Sequence, residues 1–331
     1  MRSTYILLTA SVAAMMLGTQ TAKAAENDSA GFIDYFGYSK CIVLGNAKTR
    51  VILCPQAGGR VLEYSLNGKN SLYLDPEQKG WTQAAGTKVD PCGGRFDIGP
   101  ERVVPPRPTL WLGEWTGEIV GPRTARLTSQ KDEATGTQLV REFTLDGASS
   151  RLTCTQTIKN VSDKPTAWCH WSRTLALGGG ICVIPLTENS RFPKQYVMYG
   201  PGPVINYLPE DPNIRVRDGF LEVLGTPERP KLGLDSYAGW FAYLTTNDLL
   251  FVKRYPTYPD RVYNEVAGLT ISIWYFQDKM CELEPIGPRE TLAPGQSASF
   301  TEEWWLLPHA FPGKTDVDLK AISGIVERLP K

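Results

Sequence analysis

Histidine is nearly absent: the 331 residues contain two, His170 and His309. There is no Cys-x-x-Cys pair and no Cys/His cluster at zinc spacing, so neither a metal nor another cofactor is expected. Charge of one sign is not in excess. Lys and Arg number 35 and Asp and Glu number 35, which leaves no electrostatic case for nucleic acid or an anionic membrane as partner. No Walker-type loop, Rossmann fingerprint or G-x-S-x-G elbow occurs, so nothing nominates a nucleotide or an activated serine. The glycine run Gly178–Gly180 precedes no helical pattern and is no phosphate cradle.

Long apolar runs are also missing, with one exception. Arg2 is followed by the apolar stretch "YILLTASVAAMMLG" and by small residues at Ala22 and Ala24. A positive start, a short apolar segment and an A-x-A site predict a signal peptide, residues 1–24. The run falls short of the ~20 residues of a bilayer span, so no stable membrane insertion is expected after cleavage. The expected destination is outside the cytoplasm, periplasmic or extracellular. There disulfides are permitted, but the seven cysteines are an odd set, and Cys54 and Cys154 lie in alternating apolar runs that suit buried small hydrophobes. Asn160-Val161-Ser162 is a sequon that an exporting host could glycosylate.

What is present in quantity is strand and turn signal. The 31 glycines and 25 prolines favour turns over helices. "CIVLG", "RVILC", "VLEYSLNG" and "SLYL" follow one another closely. In "QLVREFTLDGASSRLTCTQTI" two alternating runs flank Asp146-Gly147, a hairpin pattern. Its second run sets Leu152, Cys154, Gln156 and Ile158 against Thr153, Thr155 and Thr157, a half-buried strand of period two. Residues 186–235 are irregular and contain "YGPGPVINYLPEDPN", expected as a long loop over one rim. Strands return with "GWFAYLTTNDLLFVKRY", "LTISIWYF", "KMCELEPIG" and "QSASFTEEWWLLP". One helix is predicted over about 315–329, from the spacing of Leu319, Ile322, Ile325, Val326 and Leu329, with Thr315 and Asp318 as a capping pair. The fold class is all-β: one large antiparallel two-sheet sandwich over 38–331 with a short C-terminal helix, after a flexible lead-in at 25–37.

Polar residues embedded in aromatic strands are the candidates for chemistry. "AWCHWSRT" places Trp168, His170, Ser172 and Thr174 on one face and Cys169, Trp171, Arg173 and Leu175 on the other. "CELEPIG" puts Glu282 and Glu284 on one face. "DPCGGRFDIGPE" offers Arg95, Asp97 and Glu101, and "TLWLGEWTG" adds Trp111, Glu114 and Trp115. Aromatic faces stack on the apolar side of a pyranose while carboxylates and arginines hydrogen-bond its hydroxyls, so a carbohydrate is the expected partner. The competing reading for His170 is a core imidazole bonded to backbone. For the glutamates it is edge-strand charge, and for the tryptophans it is core. His309, after the last strand, reads as a loop residue.

Three segments also carry a family resemblance. "IKNVSDKPTAWCHW" with "LALGGG", the late "CELEPIGPRETLAPGQSASFTEEWWLLP" and the early "VILCPQAGGRVLEYSLNGKNSLYL" resemble, in order over most of 38–308, the galactose mutarotase-like proteins of the aldose 1-epimerase superfamily. The resemblance implies a β supersandwich. In the epimerases a glutamate takes the anomeric hydroxyl proton and a histidine protonates the ring oxygen. By position His170 would be the acid and Glu284 the base, with Glu282 taking that place if the register slips by one pleat. Arg95 would bind a sugar hydroxyl, and Asp97, Trp115, Trp168, Arg173 and Glu282, from the aromatic and charged patterns above, complete the expected substrate-binding set, although the epimerases' sugar-binding aspartate has no match. The epimerases' earlier histidine has no counterpart, since no histidine precedes residue 170. Three functions stay open on the sequence: an epimerase-like enzyme, a non-catalytic sugar-binding protein, and a glycosidase or lyase acting on a polysaccharide.

Overall fold

A computed structural model describes residues 29–86, 89–313 and 316–330. The expected signal peptide, the first residues of the lead-in and Thr315 of the capping pair lie outside them.

Two antiparallel sheets face each other. The larger runs β1 (Ala30–Tyr35), β2 (Tyr38–Gly45), β3 (Thr49–Cys54), β4 (Arg60–Leu66), β6 (Gly94–Gly99), β11 (Thr166–Leu177), β21 (Met280–Leu292), β20 (Ile271–Phe276), β17 (Lys231–Leu234), β13 (Val197–Tyr199) and β14 (Ile205–Asn206), with β5 (Lys69–Asn70) paired to β4. The smaller runs β15 (Ile214–Arg217), β16 (Phe220–Val223), β12 (Ile181–Pro185), β18 (Trp240–Thr245), β19 (Leu249–Arg254), β22 (Ser297–Pro308), β10 (Leu152–Asn160), β9 (Thr137–Leu145), β8 (Thr124–Thr128) and β7 (Thr116–Gly121). Neighbours in space are often distant in sequence, so the chain crosses between sheets repeatedly. The core between them holds Phe96, Ile98, Phe143, Ile158, Phe241, Phe251 and Trp304.

The period-two reading of β10 holds. Leu152, Cys154, Gln156 and Ile158 are buried and the intervening threonines are half-buried. The β9–β10 connection differs from a two-residue hairpin: Leu145 pairs with Leu152, and Asp146 closes the longer loop by accepting the backbone N–H groups of Ala148 and Ser149. The lead-in contains strand β1, paired to β2, so 30–35 is ordered sheet edge and not linker. The irregular middle also carries short strands, with β13 and β14 forming a hairpin inside the expected loop.

The helix α1 spans Leu319–Glu327, starting later than the spacing suggests, because Asp318 caps it by accepting the Ala321 N–H. Its Leu319, Ile322 and Val326 cover Val183, Leu250 and Trp305 on the outer face of the smaller sheet. All seven cysteines are buried and free. Asn160 of the sequon is also buried and donates its amide to the carbonyls of Lys164 and Leu292, so no glycan can attach to this folded chain at that residue. No described helix is long and apolar enough to cross a membrane.

Candidate functional site

The outer face of the larger sheet, opposite the core, carries the charge. Strands β6, β11 and β21 lie side by side at its centre, and alternation sends every second side chain outward. The tight entry to β6 fixes its register. Gly93 has φ +77°, and a Cβ there would stand 2.4 Å from the Val61 carbonyl oxygen, so glycine is required. Arg95 and Asp97 then point outward while Phe96 and Ile98 fill the core.

Arg173 of β11 is the hub. Its Nε donates to Glu282 Oε1 at 2.7 Å and its Nη2 to Glu282 Oε2 at 3.2 Å, a bidentate pair. Its Nη1 lies 3.5 Å from Asp97 Oδ2, and its Nε 3.2 Å from Glu284 Oε1. Its guanidinium also stacks 4.5 Å over the Trp171 ring. Asp97 receives Arg107 on both oxygens, at 2.7 and 2.9 Å. Asp90 joins Arg60 at 2.6 Å and Arg95 at 2.7 Å. At the far side Lys231 of β17 donates to Glu101 at 2.6 Å and lies 3.8 Å from Glu284 Oε2.

The two glutamates of β21 differ in protonation. Burial opposes ionisation of Glu282, but Arg173, with Arg95 and Lys231 behind it, holds the carboxyl below the usual range. Glu284 is pushed up to about 8, first by burial and then by the negative charge of Glu282, which Lys231 and Arg173 offset only partly. Both Glu284 oxygens are buried and accept no hydrogen bond among the described residues. Burial would lower Lys231, yet Glu284 and Glu101 outweigh it and raise its proton affinity.

Beside this network is a cleft of about 420 Å³, lined by Arg95, Asp97, Glu101, Arg107, Trp111 and Arg173, among others. Its size suits one or two sugar rings. Arg95, Asp97, Arg173, Glu282 and Glu284 therefore come together as the sequence reading expects. Asp90, Arg107 and Lys231 complete the network and carry no local signature. Arg107 sits in a proline-rich loop, and Lys231 opens a four-residue strand.

His170 is elsewhere. It shares the inward face of β11 with Ser172, is fully buried, and lies stacked between Phe96 and Phe300 at 5.7 Å from each. Its Nε2 pairs with the Ala298 carbonyl at 3.1 Å, and burial lowers its proton affinity to about 4. Glu284 projects from the other side of the same sheet, so one sugar ring cannot touch both. The histidine's role as acid toward Glu284 fails on this geometry, and the core reading is the one observed. Two tryptophans also leave the substrate-binding set. Trp115 is buried, with its indole donating to the Leu110 carbonyl, and Trp168 donates to the Thr135 carbonyl from the inward side of β11. Glu114 is exposed outside the cleft.

No protein-family model matches the chain, and no curated protein matches it. Solved structures do. The Slr1438 protein of Synechocystis superposes with a TM-score of 0.56 at 16% identity, over 84% of this chain and 99% of that one. A galactose mutarotase-like protein from Clostridium acetobutylicum gives 0.57 at 12% identity, over 86% and 99%. Another from Lactobacillus casei gives 0.54 at 12%, over 81% and 100%. The fold is galactose mutarotase-like.

Proposed function

We propose that this protein acts on a carbohydrate at the outer face of the larger sheet, with Glu284 as the proton-transferring group. The observation that carries the reading is the state of Glu284: a buried carboxyl without hydrogen bonds, proton affinity raised to about 8, next to a cation and beside a sugar-sized cleft. The galactose mutarotase-like fold supports a sugar as the partner, and the N-terminal segment supports an exported protein.

Epimerase chemistry fits the groups present. Ionised Glu284 takes the proton of the anomeric hydroxyl while Lys231 donates to the ring oxygen, the C–O bond of the ring opens to the aldehyde, the C1–C2 bond rotates to present the other carbonyl face, and reclosure reverses both proton transfers. Lys231 stands in the role first expected of His170. Its Nζ is 3.8 Å from Glu284, close enough for the two groups to reach the two oxygens on one anomeric carbon. Glu284 has no exposed surface, so a substrate reaches it only when side chains covering it move. Hydrolysis by a carboxylate pair is the weaker reading, because both Glu282 oxygens are already engaged by Arg173.

The test is anomer exchange by NMR, with an added aldose, in the wild type and in Glu284→Gln. The expected result is acceleration that rises with pH through about 8, where Glu284 ionises, and at least a ~100-fold loss in the variant. His170→Phe should keep the acceleration. An active Glu284→Gln protein would remove the proposal. Sugar binding without any exchange would leave a binding protein in place of an enzyme.

A further inference from the structure

Resting on the carbohydrate reading, we propose that the cleft takes a sugar bearing an anionic group, a carboxylate or a phosphoryl, seated by Arg95, Arg107 and Arg173. Three guanidiniums line the cleft against two carboxylates, Asp97 and Glu101. Those carboxylates are already committed. Asp97 accepts two hydrogen bonds from Arg107 and one from the Ile98 N–H, and has Arg173 within 3.5 Å. Glu101 is held by Lys231.

The donors, by contrast, are in surplus. Arg95 is almost fully buried, and its Nε has no hydrogen-bond partner among the described residues. Nη1 of Arg107 reaches only the Pro105 carbonyl, at 3.4 Å, the long edge of a hydrogen bond. Nη1 of Arg173 has only the 3.5 Å approach to Asp97. A buried donor left unpaired is costly, and a guanidinium fork matches a carboxylate or phosphoryl group in geometry and charge. Arg95 is also pressed by burial and by the charge of Arg173, and its Asp90 partner is shared with Arg60. A neutral hexose would satisfy the donors only with hydroxyl oxygens. An anionic sugar would supply several strong acceptors to these donors at once, while Trp111 walls the cleft for a ring face.

The experiment is calorimetric titration of the wild type with galactose, galacturonate and galactose 6-phosphate at low and at moderate salt, repeated with Arg107→Gln. The expected result is that one or both acidic sugars bind at least about tenfold more tightly than galactose. Added salt should weaken that preference, and the variant should lose it. Whether the uronate or the phosphate leads identifies the anionic group. Equal or tighter binding of galactose overturns this inference and leaves the carbohydrate site standing. Binding of none of the three overturns the carbohydrate reading and this inference with it. The wild-type comparison needs no variant, so an unfolded Arg107→Gln protein does not shield the proposal.

Discussion

Two residues on adjacent strands illustrate how a side chain's face decides its chemistry. His170 and Glu284 both sit in the centre of the larger sheet and are both buried, but they occupy opposite faces. The imidazole lies among phenyl rings, where its charged form loses hydration and gains no counter-charge. Its proton affinity falls to about 4, against an unfolded value near 6.5. Between those values the unfolded chain binds a proton that the folded chain does not. Stability from this group is therefore present above about pH 6.5 and is lost as pH falls toward 4. The loss should be on the order of 3 kcal/mol at the acid end. Urea denaturation of the wild type and His170→Phe across that range should show a steeper acid decline in the wild type. Identical slopes would mean that the histidine titrates normally.

At the scale of the element, β11 joins two polar networks through one strand. Outward it presents Arg173 to the cleft, with Trp171 buried beneath the guanidinium. Inward its Ser172 and Thr174 receive the ammonium of Lys253 from β19, at 3.1 and 2.8 Å. Lys253 pairs with Glu302 of β22 at 3.0 Å, and both side chains have no exposure. Glu302 also accepts the amide of Gln156 and the indole of Trp304. Such a pair stabilises little relative to well-packed apolar residues, but each half is costly without the other. Lys253→Met alone should destabilise by about 3–5 kcal/mol. Lys253→Met with Glu302→Leu should recover much of it, as read from denaturation midpoints. A double variant as unstable as the sum of the singles would show that the two residues act independently. Because Ser172 and Thr174 share the backbone of Arg173, this network also holds the strand that carries the cleft's central cation.

At the scale of the whole molecule, the fold was legible and the site only partly so. Alternation along β10 and β11 assigned each residue to its correct face, because a period of two is a local property of the chain. Glu282, Glu284, Arg95, Asp97 and Arg173 were readable for the same reason: charges set among apolar neighbours in strand patterns. Lys231 and Arg107 were not. Lys231 finds Glu101 130 residues away, brought to it by the order of strands, and Arg107 finds Asp97 only because an irregular proline-rich loop folds back on the end of β6, a path no periodicity encodes. His170 was misassigned for a different reason. Alternation placed it on the face opposite Arg173, but nothing local says which face of a central strand meets the other sheet. The helix start and strand β1 were missed where one capping residue or one edge pairing decides the structure.

Sugar binding on the outer face of the larger sheet is open to direct observation. The most direct test follows the indole N–H signals of the tryptophans by NMR during titration with galactose and its acidic derivatives. Trp111 borders the cleft and Trp171 lies under Arg173, whereas Trp304 is in the core and Trp305 lies beneath the C-terminal helix. The signals of Trp111 and Trp171 should move with added sugar while those of Trp304 and Trp305 stay fixed. Saturable shifts confined to Trp304, Trp305 or other indoles away from the cleft would contradict binding at this face.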